Sequence, residues 1–158
     1  MKSSVAENLV ALLKANGLTC ATAESCTGGG VGAAITAVPG SSAVFAGGVI
    51  SYSNEVKMSV LGVRAETLAT VGAVSSETAA QMAAGARRLL KTDLAVSLTG
   101  IAGPDGGSAE KPVGLVWFGL ATVAGTRTEK AIFAGDRATV RAAAVTHALG
   151  MLTVAASE

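Results

Sequence analysis

Ser25 and Cys26 sit side by side in Ala23-Glu24-Ser25-Cys26-Thr27-Gly28-Gly29, where the apolar run Leu18 to Ala23 gives way to small residues. A hydroxyl and a thiol at a strand-to-helix turn are candidate nucleophiles. The glycines behind them let backbone N–H groups approach a ligand closely, and a helix start adds partial positive charge for an anion. A serine nucleophile needs a base, and Lys57 is the candidate. It falls in the first turn of a predicted helix beside Val56, Val60 and Leu61. Burial there, and the positive end of the helix, both lower an ammonium pKa. The competing reading of Lys57 is a solvated surface lysine. Tyr52, at the end of the second predicted strand, can shuttle a proton or orient the lysine, or else pack with its hydroxyl at the rim. Cys26 is a rival nucleophile, because a thiol at a helix N-terminus is activated; as a small buried residue it would be inert. His147, the only histidine, lies between Ala144 and Met151 on an apolar helix stripe and reads as a partly buried helix residue rather than a base.

Two further groups can meet a substrate. Arg137 and Arg141 are four apart on the predicted last helix, so they project from one face and can clamp a phosphate or carboxylate, or form a plain charged face. The segment Thr99-Gly100-Ile101-Ala102-Gly103-Pro104-Asp105-Gly106-Gly107 is longer than a tight turn needs, and such a loop at a strand end is often functional.

The elements that must carry these residues follow from periodicity and punctuation. Ser4 and Glu7 form a capping box ahead of the stripe Val5, Leu9, Leu12 and Leu13, which Gly17 ends. A buried strand spans Leu18 to Ala23, and a helix runs from the Ser25 loop to about Val38, before Pro39-Gly40. A second strand covers Gly47 to Tyr52, and Asn54 caps a helix that ends at Gly62. A short helix near Ala65 to Thr70 precedes a long one capped by Ser75 or Ser76, with Met82, Ala86, Leu89 and Leu90 inward. Leu94 to Leu98 is the third strand, Val113–Val123 and Arg127–Phe133 form a hairpin around Gly125, and Asp136 caps the last helix. Helices between the first three strands imply parallel crossovers. The expected fold is a three-layer α/β/α sandwich with a mixed, mostly parallel sheet and a C-terminal β-hairpin plus helix. In such sheets ligands bind beyond the carboxyl ends of the parallel strands, so the loops after Ala23, Tyr52 and Leu98 should converge.

Composition narrows the class. The chain has 158 residues, half of them apolar, enough for one compact domain over 1–158. A net charge of +1 and 3% aromatic residues argue against a nucleic-acid partner. Two cysteines and one histidine do not meet the usual arithmetic of a structural zinc site. The uncharged stretch between Glu24 and Glu55 is cut by Pro39-Gly40-Ser41-Ser42, so no membrane span is expected from it. The start of the chain lacks a signal-peptide hydrophobic region, and the cytosol is the expected compartment. The alanine- and glycine-rich, weakly charged helices lead us to expect a homo-oligomer.

Taken together, these segments resemble the CinA C-terminal domain family over nearly the whole chain. They are Thr22 to Gly29, Tyr52-Ser53-Asn54-Glu55 with Lys57, Gly100 to Gly107, Lys111-Pro112-Val113-Gly114 with Trp117-Phe118, and Gly135-Asp136-Arg137 with Arg141. Family members of this length look like amidohydrolases that convert nicotinamide mononucleotide to nicotinic acid mononucleotide and ammonia, salvaging the pyridine nucleotide. The resemblance implies Ser25 as nucleophile, Lys57 as base and Tyr52 as assistant. It sets Thr27, Gly28, Gly29, Asn54, Thr99, Gly100, Gly103, Asp105, Gly106 and Gly107 around a small-molecule nucleotide, with either Arg137 or Arg141. Neither a cofactor nor a metal is implied. An activity belonging to the domain that precedes this module in longer family proteins is not expected. The alternative is a competence- or damage-related module that binds a nucleotide without hydrolysing it.

Overall fold

A computed structural model describes residues 2–158. Helix α1 (Val5–Asn16) starts where the Ser4 hydroxyl accepts the Glu7 N–H and ends on Gly17 in the left-handed region. Its buried side is Ala6, Leu9, Val10 and Leu13, whereas Val5, in the unsupported first turn, is 41% exposed. Strand β1 (Cys20–Glu24), helix α2 (Gly30–Thr36), a 3₁₀ turn (Ser41–Ala43) and strand β2 (Phe45–Ile50) follow. Helices α3 (Asn54–Ser59), α4 (Ala65–Thr70) and α5 (Ser76–Leu90) then lead to strand β3 (Leu94–Gly100). The hairpin β4 (Leu115–Thr122) and β5 (Gly125–Ile132) and helix α6 (Arg137–Ala156) complete the chain.

The sheet order is β2-β1-β3-β4-β5, with β1 parallel to both neighbours and the β3–β4 and β4–β5 pairs antiparallel. This is the expected three-layer α/β/α sandwich with a mixed sheet. One core joins α1, α2 and α6 to Cys20, Val96, Leu98, Val116, Phe118 and Leu120. The other joins Met82 and Ala86 of α5, with Leu61 and Val63, to Ala21, Ala23 and Ala95. Side chains alternate between the two faces with the strand period of two. The α5 face is lined with small residues, so that helix sits close to the sheet. Ser97 donates its hydroxyl to the Ala79 carbonyl, and a Cβ at Gly119 would collide with that same carbonyl. Helix α6 has the length and apolarity of a membrane span, with mean hydropathy 1.3, yet it buries Val140, Ala144, Ala148 and Leu152 in the protein core.

Several boundaries differ from expectation. Strand β2 runs two residues earlier than Gly47–Tyr52, because Ser51 and Tyr52 turn away from the sheet toward α3. Ser53, not Asn54, caps α3, its hydroxyl accepting the Val56 N–H at 3.2 Å. Helix α2 begins only at Gly30 and ends by Thr36. Leu89, expected inward, is 49% exposed at the end of α5.

Register decides what the sheet presents at its edge. Glu24 pairs with Ile50 on one side and Leu98 on the other. Ser25, Ser51 and Thr99 therefore stand at one level across the three parallel strands, Ser25 and Ser51 just past the ends of β1 and β2 and Thr99 still within β3.

Candidate active site

Beyond that edge lies a cavity of about 300 Å³, lined by Ser25, Cys26, Tyr52, Asn54, Lys57, Ala73, Val74, Thr99, Gly100, Gly103, Asp105, Gly106 and Arg137, among others. A second cavity of about 330 Å³, between β5 and α6, includes Leu120, Arg127, Glu129, His147 and Met151 and holds no nucleophile.

Lys57 is 1% exposed, although it sits on a six-residue helix. Its Nζ donates to the Ser51 carbonyl at 2.7 Å and the Tyr52 carbonyl at 3.3 Å, and it hydrogen-bonds Ser25 Oγ at 3.0 Å. Burial pushes its pKa below the ordinary 10.5, with the nearby Cys26 thiol opposing that shift. Ser51 is itself anchored, its N–H donating to the Glu24 carbonyl at 2.7 Å and its hydroxyl to the same oxygen at 3.3 Å. Glu24, Ser25, Lys57 and Ser51 thus close a ring that fixes the amine against the hydroxyl.

The Ser25 turn is held from below by Glu24. Its buried carboxylate accepts from Thr27 Oγ1 (2.6 Å), Val31 N (2.9 Å) and Gly32 N (3.0 Å), satisfying the first amides of α2. Gly28 and Gly29, at φ 58° and 104°, let the chain turn between Ser25 and the helix. The Ser25 N–H continues the sheet by donating to the Leu98 carbonyl at 3.1 Å.

A family model for the CinA C-terminal domain matches residues 2–155. The chain belongs to that family. Nicotinamide-nucleotide amidohydrolase PncC of Escherichia coli K12 is 52% identical over 149 residues, covering 94% of this CinA domain and 90% of that protein. A Halothermothrix orenii protein named for competence-damage induction is 56% identical over 137 residues, and there the chain spans about a third, 33%, of its relative's length. Among solved structures, a CinA superfamily protein from Klebsiella pneumoniae superposes with a TM-score of 0.93 at 38% identity, covering 97% of this chain and 96% of that one. The competence/damage inducible protein CihA from Agrobacterium tumefaciens gives 0.91 at 43% identity, covering 100% and 99%.

This CinA domain separates the two arginines. Arg137 lines the cavity, donating to the Gly103 carbonyl at 2.8 Å and the Tyr52 phenol oxygen at 3.3 Å. Arg141 is outside it and bonds the carbonyls of Cys26 and Thr27. Thr27, Gly28 and Gly29 also lie outside the lining and form the turn behind Ser25, while Gly107 packs on Val113. Thr99 turns its hydroxyl to the Ala73 carbonyl at 2.9 Å, drawing the segment before α5 into the wall. Cys26 is buried, and that burial pushes its thiol up to about 11; the pull of Arg141 does not overcome it. The expected helix-terminus activation is missing because α2 starts four residues later. His147 stacks on Phe118 at 4.2 Å and meets Glu129 at 2.8 Å on the other face of the molecule from Lys57.

Sequence reasoning missed Glu24 and Ser51. Glu24 was visible only as an acidic residue inside an apolar run, and Ser51 left no signal, since its main-chain carbonyl does the work.

Proposed function

We propose that this CinA domain hydrolyses the carboxamide of a nicotinamide mononucleotide to the acid and ammonia, with Ser25 as nucleophile and Lys57 as base. The substrate class comes from the likeness to PncC, a nicotinamide-nucleotide amidohydrolase by name. The observation that carries the chemistry is the surroundings of Lys57 Nζ. A neutral amine has two N–H donors and one lone pair. In that neutral form the Ser51 and Tyr52 carbonyls, which can only accept, engage both donors, and the lone pair is left to take the Ser25 O–H. A desolvated, neutral lysine so oriented is a general base for a serine.

In the first step Lys57 takes the Ser25 proton while Oγ attacks the carboxamide carbon. Main-chain N–H groups following Ser25 meet the oxyanion, an effect commonly worth about 3 kcal/mol per donor. The Lys57 ammonium gives its proton to the leaving nitrogen, the C–N bond breaks, and ammonia departs. Water, deprotonated by the regenerated amine, cleaves the acyl-serine to the carboxylate and returns the proton to Oγ. Arg137 and Asp105 offer opposite charges at the mouth for the polar part of the nucleotide.

The test is ammonia release from nicotinamide mononucleotide by the wild type, S25A and K57A. Release by the wild type with loss in both variants supports the dyad. Tight nucleotide binding without release would favour a binding module instead, and activity in S25A would refute the nucleophile.

A further inference from the structure

Arg141 makes a two-point contact with the chain just after the nucleophile. Its Nε donates to the Cys26 carbonyl at 3.1 Å and its Nη2 to the Thr27 carbonyl at 3.2 Å. Both peptide groups are trans, and in a planar trans peptide the N–H points opposite the C=O. Holding the Cys26 carbonyl therefore directs the Thr27 N–H to the side away from Arg141. Holding the Thr27 carbonyl directs the Gly28 N–H likewise, and that N–H donates back to the Ser25 carbonyl at 3.1 Å. The Ser25 carbonyl, so engaged, fixes the opposed Cys26 N–H in turn.

Beyond the Cys26 thiol itself, the N–H groups of Cys26 and Thr27 have no acceptor among the described residues, although both residues are buried. Buried backbone donors are nearly always paired, so two adjacent free ones directly after a nucleophile call for a charge that arrives with the reaction. Glu24 fixes the same turn from the opposite side through the Thr27 hydroxyl. A planar guanidinium fork suits two carbonyls one residue apart, which a single ammonium cannot span with the same geometry.

We infer that Arg141 is a positioning residue whose clamp on the Cys26 and Thr27 carbonyls aims the Cys26 and Thr27 amides at the oxyanion, without touching substrate. This rests on the amidohydrolase reading above. It divides the two arginines of α6, Arg137 serving binding and Arg141 serving turnover.

The experiment is steady-state ammonia release from nicotinamide mononucleotide by wild type, R141A, R141K and R137A, alongside melting temperatures and calorimetric binding of the acid product. R141A and R141K should lose about 10²-fold in kcat, the cost of a misplaced oxyanion donor. Their KM and product affinity should stay within about twofold of wild type. Arg141 is exposed, so added guanidinium can enter the vacated place and should restore part of the R141A rate. R137A should show the opposite split, a raised KM. Wild-type kcat in R141A, or a loss in KM and affinity instead of kcat, overturns the inference. If R141A fails to fold, R141K decides: a wild-type kcat there also overturns it. A wild type that releases no ammonia fails the amidohydrolase reading itself, whereas an active wild type with an unimpaired R141K fails only the role of Arg141.

Discussion

Tyr52 holds Lys57 through its main chain and not through its ring. The carbonyl accepts from Lys57 Nζ at 3.3 Å, while the phenol, on a side chain 64% exposed, accepts from Arg137 at 3.3 Å. The sequence left open a proton shuttle, an orienting role or a hydroxyl at the rim, and the ring lies at the rim of the cavity. Y52F should therefore leave the acid limb of the pH–rate profile unmoved and raise KM several-fold as Arg137 loses a partner, about 0.5–1.5 kcal/mol for one hydrogen bond. A shifted acid limb in Y52F would restore the shuttle.

Lys57 should tie the protein's stability to pH. Its pKa is lowered by burial on folding, so between that lowered value and 10.5 the unfolded chain binds one more proton at this site than the native one. Wild-type stability consequently rises with pH across that window. K57M, which keeps the volume and removes the amine, should be inactive and should lose this pH dependence, while leaving the Ser51 and Tyr52 carbonyls without their donor costs it about 1–3 kcal/mol. Relative to K57M, wild-type stability should rise toward pH 10, which denaturant melts at several pH values will reveal.

Cys26 should be chemically silent. With its thiol pushed up to about 11, iodoacetamide at pH 7.5 should label it slowly in the native protein and rapidly after unfolding. C26A should retain most of its ammonia release. Rapid native labelling that tracks inactivation would return the cysteine to contention as the nucleophile.

Glu24 should prove a structural anchor with catalytic consequences. In E24Q an amide NH₂ meets one of three donors, leaving at least one buried group unpaired, at about 1–3 kcal/mol. For a domain of this size that is a fall in melting temperature of roughly 2–12 °C. An unchanged melting curve would show that the carboxylate bears no such load.

The features that local chemistry determines were legible in the sequence. The Ser4 and Asp136 caps, the Gly17 stop and the strand-loop-helix at Ser25 depend on neighbours three or four residues away. What depended on distant chain was not. Nothing near Lys57 distinguished a solvated lysine from a buried one, because its partners are carbonyls presented where the chain bends off β2. The four-residue spacing of Arg137 and Arg141 gave a common face but not their targets. Those are set by how the Gly103 loop and the Ser25 turn approach α6. Glu24 looked like a charge at a strand end, and only the fold brings two α2 amides onto it.

The level shared by Ser25, Ser51 and Thr99 has a consequence for assembly. Each of the three contributes from a separate parallel strand, and Arg137 joins from the far end of the chain. No contiguous fragment contains the site, so the proposed turnover requires the completed sandwich. In a denaturant titration, the proposed ammonia release should vanish in step with the global unfolding transition, so that activity itself reports native structure.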